Sequence, residues 1–216
     1  MEFNGLIAVV TGGSNGIGSA LCALLAERGA TVASLDVAAP AKHPPGITHL
    51  HCDVTKLDDV RAALAQVRGP IGLLVNNAGV MRRGTALSHP EDEFDLLFSV
   101  NAKGPWLVMK EAAPLLSKHA VVLHVSSYRA GQDVDDPGLY AASKAAGEHV
   151  ARCAASADPA WRLKIARLGR FSTDMAREGL GAREPAEAAE LLLELAASDH
   201  ALLSYDPESE RYSFSG

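Results

Sequence analysis

The sequence predicts one layered α/β domain: a doubly wound parallel sheet of about seven strands with helices on both faces. Three observations point there. Short apolar, β-branched runs alternate with stretches of helical periodicity, the pattern of parallel strands joined by helical crossovers. Seven such strand candidates with helices between them argue for a sheet covered on both faces. The 216 residues suit one domain, and no internal repeat or linker-like tract divides them, so residues 1–216 read as a single unit.

Taken in order, Leu6–Thr11 is a strand, followed by a glycine-rich turn and an amphipathic stretch to Arg28. Thr31–Asp36 and Ile47–Cys52 are strands flanked by Gly, Pro and Asp, with His43-Pro44-Pro45-Gly46 as an exposed turn between them. Lys56–Gln66 reads as a helix, with Val60, Leu64 and Val67 on one face. Gly72–Asn76 is a strand, and Gly79 follows as a breaker. Pro90 suits the first turn of a long helix reaching Lys118, interrupted near Gly104-Pro105 and Pro114. Ala120–Ser126 is a strand, Leu139–Ala157 an alanine-rich helix, and Leu163–Leu168 a strand. Glu184–Ala197 is a helix starting at Pro185. Asp206-Pro207-Glu208-Ser209 reads as a type I turn leading into an edge strand, Arg211–Ser215.

Composition removes several function classes. Twenty Lys and Arg against 26 Asp and Glu leave a net charge of −6, the wrong sign for a protein that binds nucleic acid through phosphate contacts. No apolar run approaches the ~18 residues of a membrane span. Met-Glu-Phe-Asn-Gly has neither the basic nor the apolar region of a signal peptide. Cys22, Cys52 and Cys153 are odd in number and far apart, which fits reduced thiols in the cytoplasm. The eight His share no metal-ligand spacing, so no metal is expected; His49 and His51 alternate on a strand and His119 ends a helix, which suits surface or capping roles.

Chemistry enters at the first turn. Directly after the first strand stands Thr11-Gly12-Gly13-Ser14-Asn15-Gly16-Ile17-Gly18. Gly12, Gly16 and Gly18 let the backbone turn sharply and lie against a pyrophosphate whose charge meets a helix N-terminus, with Ser14, Asn15 and Ile17 completing the wrap. Asp36 closes the second strand 18 residues after Gly18, close to the ~20 expected of an acid that accepts from ribose hydroxyls. No Arg or Lys lies in 12–18 and Val37 follows Asp36, so NAD is expected rather than NADP.

Tyr140-Ala-Ala-Ser-Lys144 sets a phenol and an ammonium on one helix face. Alcohol oxidation needs a base for the hydroxyl proton, and a free phenol with pKa ~10 is a poor one. A cation ~4 Å away, at an effective dielectric of ~20, is worth about 4 kcal/mol and is expected to bring Tyr140 near working pH. Ser127 lies 13 residues upstream at a strand end, where it would hold the substrate oxygen.

With Asp53-Val54, Asn76-Asn77-Ala78-Gly79, Asn101 and Ser126-Ser127 also present in order, the sequence resembles the short-chain dehydrogenase/reductase family, a Rossmann-fold group. The matching pieces span about two-thirds of the chain. The resemblance implies a catalytic tetrad of Asn101, Ser127, Tyr140 and Lys144, with Asn101 anchoring a water that links Lys144 to solvent. It implies adenine contacts from Asp53 and Val54, a sheet end supported by Asn77, Ala78 and Gly79, and nicotinamide contacts from Gly169 and Thr173. Tyr140 and Lys144 would also touch the cofactor. In relatives the long helix and the Tyr140 helix form a dimer interface, which implies a homodimer or homotetramer.

The chain departs from the family in three places. Leu168 replaces the usual Pro before Gly169. Residues 174–183 leave only a shortened substrate lid. The usual Val-Asp-Gly-Gly ending is absent. Of the charged residues expected near the substrate, Arg82, Arg83 and Arg129 suggest an anion, while Gln132, Asp133, Asp135 and Asp136 suggest the reverse. The expected activity is hydride transfer between NAD and a secondary alcohol/ketone pair. The alternatives are an NADPH-dependent ketoreductase and a non-catalytic NAD(H)-binding redox sensor.

Overall fold

The computed structural model describes residues 2–40, 44–158, 160–173 and 183–216. Strands β1 (Ile7–Thr11), β2 (Thr31–Asp36), β3 (Ile47–His51), β4 (Ile71–Asn76), β5 (Leu116–Ser127), β6 (Arg162–Leu168) and β7 (Leu202–Asp206) run parallel. β8 (Arg211–Ser215) pairs antiparallel to β7 at one edge. The sheet order is β3-β2-β1-β4-β5-β6-β7-β8. The helices are α1 (Gly16–Glu27), α2 (Leu57–Leu64), α3 (Glu91–Phe98), α4 (Gly104–Ala112), α5 (Gly138–Ala157) and α6 (Pro185–Ala197). α1 and α6 cover one face of the sheet, and α2, α4 and α5 cover the other. Among the described residues, no helix is long and apolar enough to cross a membrane.

Local chemistry explains the elements that matter for the site. α1 buries Gly18, Leu21, Cys22 and Leu25, an i, i+3, i+4, i+7 stripe. It ends where Gly29 takes φ +86° and returns its N–H to the Ala26 carbonyl, a left-handed turn that glycine adopts without strain. α6 starts at Pro185, whose missing N–H costs nothing in a first turn. Between α3 and α4 the chain forms one π turn, Ser99–Lys103, in which the Gly104 N–H reaches back to the Ser99 carbonyl. The cause is Pro105, which has no N–H to give to the Asn101 carbonyl four residues earlier.

Three expectations are corrected. The long helix does not reach Lys118: it tightens into a 3-10 turn over Ala113–Leu115, and β5 begins at Leu116. Leu116 pairs with Ile71, and the register slips before Leu73 meets Val121. His119 therefore lies in this irregular stretch of β5, with φ +66° and its N–H on the Ala160 carbonyl, rather than at a helix end. Finally, β7 was not among the expected strands. The edge strand at Arg211–Ser215 stands as expected, and the turn before it is held by Asp206, which accepts from the Glu208 N–H and the Ser209 hydroxyl.

Strand order reverses between β1 and β4, so the loops leaving their C-terminal ends diverge and open a crevice there. Behind it, α5 is anchored to the sheet by a bidentate ion pair from Arg167 to buried Glu148, at 2.9 and 2.8 Å. Removing one partner of such a pair strands the other charge. Glu148→Ala should lower unfolding free energy by about 3 kcal/mol in urea denaturation; a loss under about 1 kcal/mol would contradict this role.

Candidate active site

The crevice is a cavity of about 670 Å³ running from the end of β2 to the start of α5. Its middle is the glycine-rich turn. A Cβ on Gly12 would lie 2.8 Å from the Ala78 Cα, and one on Gly18 would lie 2.0 Å from the Gly12 carbonyl. Neither position admits a side chain. The turn is tied to β4 by two residues. The Thr11 hydroxyl accepts from the N–H groups of Asn77 and Ala78, both at 3.0 Å, and the Asn77 amide donates to the Thr11 and Gly12 carbonyls, both at 3.0 Å. Asn15, the N-cap residue of α1, makes no side-chain capping bond. The first-turn N–H groups at Gly16, Ile17 and Gly18 thus have no side-chain acceptor, and these residues line the cavity. Orphan donors at the positive end of a helix fit a diphosphate.

At one end the wall includes Asp36, Asp53 and Val54. Asp36 accepts from the N–H groups of Ser14 and Ala38, one on each carboxylate oxygen at 3.0 Å. Each oxygen keeps a lone pair for a further donor, and the carboxylate is fixed where it stands. Asp53 is a turn-forming residue. Its carboxylate accepts from the Thr55 N–H and hydroxyl and pairs with Lys56. Partial burial works to raise its pKa, but those partners outweigh burial and hold it below the usual carboxylate range.

At the other end, Gly79, Ser127, Tyr140, Lys144 and Gly169 share the wall, while Thr173 lies against the glycine turn, 3.1 Å from where a Cβ on Gly16 would stand. Tyr140, Lys144 and Ser127 are buried. Lys144 donates to the Val125 carbonyl at 3.0 Å, and its Nζ lies 6.0 Å from the centre of the Tyr140 ring. In the chain without a dinucleotide, burial raises the Tyr140 pKa above its ordinary value, and the nearby Ser127 hydroxyl offsets this only in part. Burial depresses Lys144 to about 8, against the pull of Glu148.

Two named residues stand behind the wall. Ser14 is buried, its hydroxyl on the Ala38 carbonyl at 2.6 Å. Asn101 spends its amide on the Val80 backbone, accepting at 2.9 Å and donating at 2.8 Å, and also donates to the Ser143 hydroxyl. Its side chain thus braces the loop after β4; its carbonyl lies where a Cβ on Gly147 would come within 2.4 Å.

The departures from the family pattern have structural counterparts. Leu168 extends β6 to pair with Ser127 and is buried. The turn after it is held by the C-terminal hairpin: the Gly169 N–H donates to the Tyr212 hydroxyl at 2.8 Å, and a Cβ on Gly169 would strike the Tyr205 ring. Tyr205 packs on Tyr212 and meets Tyr128 edge-on. Sequence reasoning missed these tyrosines. The available signal was that Tyr205 and Tyr212 lie at equal distance on either side of the 206–211 turn. Phe171 bridges to Arg183; the expected lid itself, 174–183, lies outside the described residues apart from Arg183.

A parallel sheet with a glycine-rich turn at its switch point, and a Ser-Tyr-Lys set lining the same cleft, is the architecture of a dinucleotide-binding domain. The comparisons narrow this. Residues 6–182 match the family model described as short chain dehydrogenase, and the chain belongs to that family. It is 30% identical over 187 residues to 2,3-dihydro-2,3-dihydroxybenzoate dehydrogenase of Bacillus subtilis, covering 79% of this chain and 72% of that one. It is 36% identical over 160 residues to the sex determination protein tasselseed-2 of Zea mays, covering 66% of this chain but 48% of that protein, so it spans about half of that relative's length. A short chain dehydrogenase from Burkholderia cenocepacia, solved in complex with NADP, superposes with a TM-score of 0.90 at 25% identity, covering 97% of this chain and 91% of that one.

One buried group behind the site sets an acid limit. His124 is buried, and neither ring nitrogen has a partner among the described residues. Burial, with the Lys144 charge, depresses its pKa to about 3 from the ordinary 6.5. As pH falls below 6.5, the unfolded chain takes up a proton that the native state refuses, so stability is lost toward pH 3. Between pH 6.5 and 4, His124→Asn should lose about 3 kcal/mol less than the wild type in urea denaturation; parallel losses would contradict the assignment.

Proposed function

We propose that this chain is a cytoplasmic, NAD-dependent dehydrogenase that interconverts a secondary alcohol and its ketone, with Tyr140 as the proton-transfer group. The observation carrying this is the placement of Ser127, Tyr140 and Lys144 on one buried wall of the cavity that also holds the glycine-rich turn. When bound, the dinucleotide supplies the hydride acceptor and, in its oxidised form, a positive ring. The protein's own residues do the rest. The N-terminus of α1 binds the diphosphate, and Gly169 and Thr173 border the nicotinamide. Ser127 orients the substrate oxygen at a preorganised donor. Tyr140, a neutral phenol in the free protein, is in the state of a general acid for carbonyl reduction; in the oxidative direction it must give up that proton first, so oxidation should accelerate toward alkaline pH. Lys144 supplies the cationic field and binds ribose hydroxyls.

NAD is favoured because the Asp36 carboxylate is pinned by the Ser14 and Ala38 N–H groups at the cavity end where a 2′-phosphate would meet it, and the adjoining Val37 is apolar and exposed. Buried Cys22 and Cys52, whose thiols burial pushes up to about 12, and the absence of a disulfide among the described residues support a reducing compartment. An oligomer, homodimer or homotetramer, is supported by Phe94 and Trp106, which stay 42% exposed on α3 and α4 while Leu97, Leu107 and Met109 enter the chain's own core.

Tyr140→Phe tests the central role. Turnover should fall by at least about 10³-fold while NADH affinity, followed by fluorescence titration, stays within about threefold; a variant retaining a tenth of wild-type kcat excludes Tyr140. Asp36→Ala combined with Val37→Arg should raise the NADP/NAD ratio of kcat/KM by about 100-fold or more. An unchanged ratio would refute the assignment of Asp36.

A further inference from the structure

Charge along the cavity is segregated. Its acidic lining residues, Asp36 and Asp53, both lie at the β2–β3 end, whereas Arg82, Arg83, Arg129 and Arg170 line it beyond Ser127 and Tyr140. In a chain of net charge −6, that concentration of arginine runs against the composition.

Arg82, Arg83 and Arg129, the three that follow β4 and β5, are not equivalent. Arg82 lies 3.7 Å from Glu93 and Arg83 lies 3.3 Å from Asp136. Asp136 is already engaged: it also accepts from the Gly84 N–H at 2.8 Å, a bond that leads the lowering of its pKa, with Arg83 and Arg129 adding to it. Asp133 and Asp135, which the sequence set against an anionic ligand, do not line the cavity. Arg129 differs from Arg82 and Arg83. Its guanidinium lies over the Tyr128 ring, 4.8 Å from the centre, and reaches a neutral acceptor, Gln132, at 3.5 Å. Among the described residues, no carboxylate oxygen comes within 4.0 Å of it. It is half-buried, and its backbone N–H bonds the Ser127 hydroxyl oxygen at 3.3 Å. A cation is therefore fixed two residues from the group that orients the substrate oxygen.

We propose that the substrate of this site carries an oxyanion, carboxylate or phosphate, on an apolar skeleton, and that Arg129 receives it. This rests on the dehydrogenase reading above and names the substrate class. The planar guanidinium matches either oxyanion bidentately, and stacking on Tyr128 limits the side-chain freedom that binding must remove. Tyr128, half-buried beside Arg129, also lines the cavity and offers aromatic surface to the skeleton. The chemistry stays balanced: Tyr140 first loses its phenolic proton to solvent, the substrate hydroxyl then gives its proton to that phenolate, and the carbinol hydride would pass to a bound oxidised nicotinamide, while the oxyanion is unchanged.

The test uses the full-length protein and a matched set of secondary alcohols: 4-(1-hydroxyethyl)benzoate, its primary amide, and 4-(1-hydroxyethyl)phenyl phosphate. At least one anion should exceed the amide about tenfold in kcat/KM, and rising salt should erode the advantage. Arg129→Gln should cost the anions at least fivefold more than the amide, with Arg129→Lys intermediate. A second arm needs no turnover: calorimetric titration of the protein–NADH complex with 4-acetylbenzoate and 4-acetylbenzamide, where the acid should bind about tenfold more tightly. Equal affinities, or an Arg129→Gln loss shared equally by acid and amide, overturn the proposal and leave the dehydrogenase reading standing. Preferential binding of the acid without oxidation of any alcohol upholds anion recognition and counts against the dehydrogenase reading instead.

Discussion

Everything at this site depends on how closely β1 and β4 are joined at their C-terminal ends. The Thr11 hydroxyl and the Asn77 amide cross-link the two strands through bonds to backbone groups on both sides. These groups would otherwise be buried donors and acceptors with nothing to satisfy them, each costing about 1–3 kcal/mol. The cross-link holds the glycine turn against Ala78 at a distance only glycine permits. With that fixed, the N-terminus of α1 is aimed into the crevice whose far wall is built on β5 and α5.

That far wall is costly to build. Lys144, His124 and Glu148 are buried between β5 and α5, and Asn101 is buried in the π turn beside α5, where desolvation disfavours charge. The structure meets the cost unevenly. Glu148 has Arg167, and Asn101 satisfies its amide on the loop after β4. Lys144 has one carbonyl and a depressed pKa, and His124 has no partner among the described residues. Groups held this far from their solution states are those a proton-transfer site requires.

Much of this was legible in the sequence because it is written in local spacing. The glycine turn, Asp36 at a strand end, and Tyr140 four residues before Lys144 are set within single elements, and the apolar runs forced a parallel sheet. What was not legible depends on distant contacts. The phenol's pKa follows burial and the direction in which Lys144 points, which α5 alone does not determine. β7 was missed because the end of Leu202–Asp206 read as the start of a turn, and it becomes a strand by pairing with β6 and β8. The clamp of Tyr212 on Gly169 joins positions 43 residues apart. Helix periodicity ran past Pro114 into Leu116–Lys118, where pairing to Ile71 outweighed local preference.

The most direct measurement is a crystal structure of the NADH complex. The account predicts the diphosphate on the Gly16–Gly18 N–H groups, and the nicotinamide beside Thr173 with its C4 facing the space in front of the Tyr140 and Ser127 hydroxyls. Density placing the redox ring elsewhere, or side chains closing that space once the dinucleotide is bound, would contradict it.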